Sequence, residues 1–587
     1  MICKATYHSE NRIFNSGNTE MEPGKVRRGA WEISGCRQVR YLRFGLNMPG
    51  DPTYFGEYFT GGEPIHSVSL LLIKADDDPL IRLFGFRSYK YSDGELVLSS
   101  ADEHLEVTAY SDYDHVKLES GDGIGTDELL MLESADCNDL LRQWAELTAS
   151  GSGHRFPKRI PTGWNDWQYY RNEKTEADIL ANCDVLAELR RQGLDCEFIQ
   201  IDGGYCLHLS EWEIAKPEFP HGIAAVSEYI RRAGFKFGLW FAPYIQNVRT
   251  KVFQEHPEWF LRDGEGNIVR LGKSNVGESA LVDYTVPGTF DWLREKIRLL
   301  VDSWQVKWIK LDGPNIGLYR KGVLHNRSMT VQQMLRQSFR IIADAAGKDV
   351  LIEGEGSMTA AAGLVDLHRV QTDNHPIWFA DGDPNRPYAM KVYGKELIMS
   401  FLHRVWWCNH RENIILRDFP SPHCFLRERG QEEPVFTADE QRVQLAAAMI
   451  APGGLLFCDP MPEMLKRPEL LHQADFLFPI PDGRTEILDP FPADGSPYPH
   501  FYRLKTSNDT YLAIFNWSDR EAGFTIPEKG KWISLFSHAE INSPVHLAPH
   551  SAELLKYLPE SSNPDLKYHN NQRKQGGNQP CAEENRI

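Results

Sequence analysis

Between residues 162 and 459 the spacing of apolar positions changes repeatedly. The short runs "TGWNDW" (162–167), "EFIQIDGG" (197–204), "KFGLWFAP" (236–243), "KWIKLDG" (307–313), "VLIEGEG" (350–356), "LHRVQTDN" (367–374), "VWWCNH" (405–410) and "GGLLFCD" (453–459) read as strands. Between them lie "TEADILANCDVLAELRRQ", "GTFDWLREKIRLLVDSW" and "VQQMLRQSFRIIADAA", whose apolar residues recur three and four apart, as a helix needs in order to bury one face. Eight strands apolar enough to be covered on both faces, joined by helical crossovers, predict an α/β chain built on a (β/α)8 TIM barrel.

The flanks follow another rhythm. Up to about residue 135, "YLRFGL", "SVSLLLIKA", "LIRLFGF", "ELVLSS", "LEVTAY" and "HVKLES" alternate with turn signals, which predicts an N-terminal β-sandwich. A helix, "DLLRQWAEL", and the link "TASGSGHRFPKRIP" close it. After 475, "YPHFYRLKT", "YLAIFNWS", "AGFTIP", "WISLF" and "SAELLKYL" predict a smaller antiparallel β-domain. The expected division is a sandwich with linker over 1–155, the barrel over 156–474, the C-terminal β-domain over 475–560 and a disordered polar tail over 561–587.

Composition narrows the function. With 587 residues, 41% of them hydrophobic, the chain can build more than one core. A formal charge of −18 and a pI near 5.6 disfavour nucleic acid and anionic membrane surfaces as partners, and suit a neutral or cationic small molecule. No apolar run is long enough to span a bilayer and the start does not read as a leader, so a cytoplasmic protein is expected. Ten cysteines with no CxxC pair suit reduced, buried thiols. The glycosylation patterns at Asn326, Asn508 and Asn516 carry little weight without a secretory route.

In such barrels chemistry collects where strands end, at their C-terminal face. Those ends carry Trp167 after the first strand, Asp202 after the second, Trp240 in the third, Lys310 and Asp312 at the fourth, Glu355 at the fifth, and Arg369 and Asp373 at the sixth. Lys310 and Asp312 share one face of their strand, so both can point into the mouth, and a cation two residues away is expected to keep Asp312 ionised. Two carboxylates on non-adjacent strands of one mouth are what glycoside hydrolysis requires: one attacks the anomeric carbon or activates water, the other donates a proton to the leaving oxygen. Tryptophans add apolar platforms for a sugar ring. Blander readings stand beside this one. An Asp before Gly or Pro is commonly a turn residue or a helix cap. "GEGS" at 354–357 lacks the third glycine and lysine of a phosphate loop. His403 and His410 lack metal-ligand spacing and read as structural, and Trp406 and Trp407 read at least partly as packing.

Taken in order, "GWNDWQYY", "FIQIDGGY" with "EWE" and "FPHG", "GFKFGLWFAPYIQNVRTKVFQEHPEWFLRD", "VKWIKLDG", "VDLHRVQTDNHPIW" and "NIILRD" resemble glycoside hydrolase clan D, and within it the family 36 α-galactosidases, or melibiases. The resemblance implies Asp312 as nucleophile and Asp373, in an Arg-x-x-x-Asp pattern with Arg369, as acid/base. It implies Lys310 on ring hydroxyls, Asp202 on the 4- and 6-hydroxyl side of galactose, and Trp167 and Trp240 as aromatic walls. The implied reaction is double displacement with retention at a terminal α-galactosyl residue, with no metal or organic cofactor, and the resemblance permits a homo-oligomer. Two positions depart from the family pattern. Gly203 stands where a second aspartate usually follows, and Glu355 replaces a small residue or cysteine near the sugar's 2-position. They leave open a modified sugar, as in an α-N-acetylgalactosaminidase, or one lacking the 6-hydroxymethyl group, as in a β-L-arabinopyranosidase. Two further alternatives are a raffinose-synthase-like transglycosylase and a carbohydrate-binding protein without turnover.

Overall fold

A computed structural model of the chain describes residues 2–7, 12–14, 19–34, 36, 38–46, 54–101, 104–149, 155–274, 277–313, 315–380, 387–424 and 431–559. The expected disordered tail over 561–587 lies outside the described residues. Each of the eight predicted strand runs contains one barrel strand. They are β1 (Thr162–Asn165), β2 (Phe198–Ile201), β3 (Lys236–Phe241), β4 (Trp308–Leu311), β5 (Leu351–Gly354), β6 (Leu367–Arg369), β7 (Cys408–His410) and β8 (Leu455–Phe457). All neighbours pair in parallel, in the order β7-β6-β5-β4-β3-β2-β1-β8. Two parallel bridges, His410 to Gly454 and Ile414 to Phe457, draw β7 and the segment after it against β8 and nearly close the ring.

The strands are shorter than their apolar runs, most of them trimmed at the C-terminal end, whereas β7 occupies the last three residues of its run. Gly163 on β1 is required by close approach, since a Cβ there would stand 2.4 Å from the Phe198 carbonyl oxygen of β2. Among the crossovers, Glu176–Arg191 starts at a capping box of Thr175 with Asp178, and Val331–Ala346 starts at one of Thr330 with Gln333. The run beginning at Gly288 is helical over Thr289–Arg298 and then loosens into a π-turn over Leu299–Ser303.

Two five-stranded antiparallel sheets form the N-terminal sandwich. The run "SVSLLLIKA", expected as one strand, is divided between them: Ile65–Val68 belongs to one sheet and Leu70–Lys74 to the other. The break is Ser69, at φ 79°, whose N–H donates to the Gly94 carbonyl. An unbroken apolar run cannot reveal a change of sheet, because both halves are buried. "HVKLES" is not a strand. It supplies only an isolated bridge from Leu118 to Met21.

The sandwich bears on the barrel at defined points. Trp406 donates from Nε1 to the Ala145 carbonyl and Thr148 Oγ1, fixing the helix Cys137–Ala149. Arg320, in the segment after β4, pairs with Asp93 at 2.7 Å and Asp114 at 2.8 Å. Beyond the barrel, Gly483–Ile487, Phe501–Thr506, Thr510–Asn516, Ser551–Leu558, Lys531–Ser534 and Glu540–Ile541 form a six-stranded antiparallel sheet. Asn516 is buried there, its amide donating to three backbone carbonyls, so that position serves packing. No described helix is long and apolar enough to cross a membrane.

Candidate active site

The C-terminal strand ends bring the predicted residues together. At the end of β1, Asn165 donates through Nδ2 to Gln200 Oε1 (2.8 Å) and Asp202 Oδ2 (2.9 Å). The next residue, Asp166, is fully buried and pairs with Lys174 at 2.7 Å. Trp167 lies half-buried, with the Arg171 guanidinium 5.1 Å and the Lys174 ammonium 5.5 Å from its ring centroid.

Asp202, one residue past β2, is heavily engaged. Its Oδ1 accepts from Gly203 N (2.8 Å) and its Oδ2 from Lys310 Nζ (2.8 Å) as well as from Asn165. Burial pushes this carboxyl up, but Lys310 and Lys174 together outweigh it and hold Asp202 below the usual carboxylate range. Gly203 lies beside the indole of Trp240, and a Cβ there would make ordinary contact at 3.4 Å.

Lys310 and Asp312 both reach the mouth, yet Lys310 is not the partner of Asp312 that their spacing suggests. Its ammonium is spent on Asp202, with Glu355 at 3.4 Å and Glu412 at 3.8 Å. Asp312 instead accepts from Trp240 Nε1 at 3.2 Å, while its own N–H still pairs with the Phe241 carbonyl. Burial pushes its carboxyl up, against the pull of Arg369 first and Lys310 second. The expected ionisation by Lys310 is therefore corrected: register carries the lysine toward β2, and desolvation governs Asp312.

Glu355 donates its N–H to the Leu311 carbonyl, which sets it beside Asp312 on the neighbouring strand. Its side chain is 3% exposed, with Arg369 Nε at 3.2 Å, and burial pushes it well above the normal glutamate range. Arg369 ends β6 and binds Asp373 Oδ1 through Nη1 at 2.7 Å. Asp373 is the open member of the group, with a side chain 41% exposed. Burial would raise it, but Arg369 foremost holds it far below the usual carboxylate range. Burial and then Arg171 lower His375 to about 3, so its imidazole is neutral.

Sequence reasoning missed Glu412. It lies two residues past β7, only 2% exposed, with Oε1 3.3 Å from Arg369 Nη1. The signal in the sequence is its position in the polar run "NHREN" (409–413), at the end of the seventh strand. His410 and His403 are structural, the first paired with Glu353 at 2.7 Å and the second with Asp482 at 3.0 Å. Trp406 and Trp407 are buried in the core. "GEGS" is simply the end of β5 and its turn.

Lys310 pairs with Asp202, Glu355 and Glu412, and Arg369 with Glu355, Asp373 and Glu412, while Lys174 acts on Asp202 and Arg171 on Asp373 from further off. Asp202, Asp312, Glu355, Asp373 and Glu412 crowd these cations, and burial directs protons toward Glu355 and Glu412. Carboxylates that accept, and a lysine and an arginine that donate, stand beside indole faces, a lining that can bond many hydroxyls and pack against CH groups.

Residues 194–354 match the model of the Melibiase family, a stretch that runs through part of the barrel. The α-galactosidase of Escherichia coli is 23% identical over 241 residues, which is 39% of this chain and 32% of the relative. Alpha-galactosidase AgaA of Geobacillus stearothermophilus is 22% identical over 205 residues, 33% of this chain and 27% of the relative. The matches thus span well under half the length of these curated relatives. The crystal structure of AgaA shares the fold at a TM-score of 0.64 and 14% identity, covering 93% of this chain and 78% of that one. TtGalA, an α-galactosidase from Thermus thermophilus in complex with p-nitrophenyl α-D-galactopyranoside, does so at 0.62 and 19% identity, covering 86% and 95%.

Proposed function

We propose that this chain is a retaining, exo-acting α-glycosidase that hydrolyses terminal α-galactosyl residues. The observation that carries the reading is the convergence of Asp312 and Asp373, from the ends of β4 and β6, around Arg369. Asp312, with Oδ2 held by the Trp240 indole, attacks the anomeric carbon through its other oxygen as the glycosidic C–O bond breaks. Asp373 gives its proton to the departing oxygen. It then takes a proton from water, whose oxygen displaces Asp312 from the glycosyl ester and restores the starting configuration. Lys310 and Asp202 offer a donor and an acceptor to ring hydroxyls, Arg369 steadies the charge of the pair, and Trp167 supplies an apolar wall.

The relatives are described as α-galactosidases, and TtGalA is described with a galactoside bound. Both support galactose as the first sugar to test. The experiment is a screen of aryl α-galactoside, α-N-acetylgalactosaminide, α-glucoside and β-L-arabinopyranoside, with NMR of the first-formed anomer. Release of α-galactose first supports the reading, and an inverted product overturns the double displacement.

Gly203 bears on the 6-hydroxyl. Without a second carboxylate there, the wild-type protein is expected to discriminate weakly between galactosides and the matching pentopyranosides. Because a Cβ at this position meets Trp240 at ordinary contact distance, Gly203→Asp should raise kcat/KM for galactosides over pentopyranosides by roughly 1.5 to 3 kcal/mol, the worth of one charged hydrogen bond. A strong wild-type preference for galactosides would mean that another residue holds the 6-hydroxyl.

One observation favours a second substrate. The surplus of carboxyls, with Glu355 directly beside Asp312, suits a sugar carrying an ammonium at its 2-position. For such a substrate Glu355→Gln should weaken the 2-amino glycoside and leave neutral sugars nearly unchanged, measured as kcat/KM on matched aryl glycosides.

A further inference from the structure

A general acid needs a proton, yet Arg369 holds Asp373 toward its ionised form. The answer lies in the carboxyl on the other side of the same nitrogen. Arg369 Nη1 is 2.7 Å from Asp373 Oδ1 and 3.3 Å from Glu412 Oε1. Glu412 Oε2 accepts from Asn374 N at 2.6 Å, the residue following Asp373, and from Gln168 Nε2 at 3.1 Å. One carboxyl is buried and the other opens to the mouth, with one guanidinium nitrogen between them.

We infer that Glu412 is a positioning residue that shares a single proton with Asp373 across Arg369, and thereby keeps the general acid supplied with a proton at neutral pH. The inference rests on the reading of Asp373 as acid/base. Every charged neighbour enters the balance. Lys310 and Asp312 face the pair from β4, Glu355 from β5, Arg369 from β6 and Asp202 from β2. Arg171, His375 and Tyr388 border Asp373, the last donating to its backbone carbonyl, and Cys458 approaches from beyond β8. Burial, followed by Asp373, pushes Glu412 up to about 7, while Arg369 and Lys310 pull it down.

Two like charges on one nitrogen repel, so the pair titrates as a unit and holds one proton until its upper step. In the resting site the proton favours the buried Glu412. With a glycosidic oxygen against Asp373, the proton can reside there instead, while Glu412 becomes the carboxylate that Arg369, Lys310 and the Asn374 N–H stabilise. Net charge is the same in both arrangements.

The test is the pH profile of kcat/KM on a substrate with a poor leaving group. The wild type should lose activity on the alkaline side near pH 7, following the upper step of the pair. Glu412→Gln removes the negative neighbour and leaves Arg369, with Lys310 and Arg171, to hold Asp373 ionised. Its alkaline limb should then move more than one pH unit toward acid, and kcat/KM at neutral pH should fall at least about tenfold. An activated aryl glycoside, which needs no proton, should change little, and Glu412→Asp should restore the limb. An unmoved limb in folded Glu412→Gln overturns the proposal. If that variant does not fold, Asp373→Asn with ¹³C-labelled glutamate reads the same coupling from the other side. There Glu412 should titrate more than one unit lower than in the wild type, and an unchanged titration overturns the shared proton. Because that titration needs no turnover, its failure is separable from a failure to hydrolyse any α-glycoside, which would instead overturn the functional reading.

Discussion

Asp312→Gly is expected to lower turnover of an α-galactoside by about 10⁴-fold or more, because covalent capture and charge stabilisation disappear together. The substitution opens a space beside Trp240 Nε1, which now holds the carboxylate. Azide entering that space can attack the anomeric carbon from the same face, so it should restore part of the turnover and release a glycosyl azide of inverted configuration. Kinetics with and without azide, with NMR of the product, check both statements. Near-normal activity of Asp312→Gly without additives removes Asp312 from the chemistry. The pH behaviour carries a sign as well. Burial raises the Asp312 carboxyl, so the free site must lose that proton before attack, and the acid limb of kcat/KM should lie above the pH where an exposed aspartate ionises.

The second large effect belongs to Asp373. Asp373→Ala should reduce kcat/KM on a natural disaccharide by about 10²- to 10⁴-fold, the usual worth of general acid catalysis, and on an activated aryl glycoside far less. The comparison must use kcat/KM, which reports the glycosylation step, because loss of the base also slows hydrolysis of the ester and lowers kcat for both substrates. Equal losses in kcat/KM on the two substrates would make Asp373 a binding or structural residue. The structure adds a reason to expect a steep dependence on leaving group. Arg369 stays behind in the variant, still 3.3 Å from Glu412, so the mouth keeps its cation and loses only the group that faces solvent.

The two carboxyls were legible because a strand that ends in a carboxylate before glycine or asparagine is a local event. Asp312 follows β4 directly, and Asp373 stands one turn of chain beyond β6. Their partners were not legible. Lys310 and Asp312 are neighbours in sequence, yet the lysine bonds Asp202 from two strands away, since the β2–β3–β4 register carries it across the mouth. Glu412 stands at a strand end that its position past β7 marks, but nothing near it in the chain foretells that one Arg369 nitrogen will lie between it and Asp373.

Read by itself, the sequence determined the number, order and approximate limits of the barrel strands, the crossover helices, and the family segment order. Each of these depends on spacing along one stretch of chain: period two or unbroken for strands, three and four for helices. Only the tertiary structure decided that Ser69 sends one apolar run into two sheets, that Gly203 lies beside Trp240, and that Lys310 and Arg369 each pair with several carboxyls. Those facts depend on which strands lie side by side and on how far water is excluded between them. Electrostatic energy in a site grows as the surrounding dielectric falls, so the protonation of Asp312, Glu355 and Glu412 is set by burial, a property of the assembled barrel and not of any one segment.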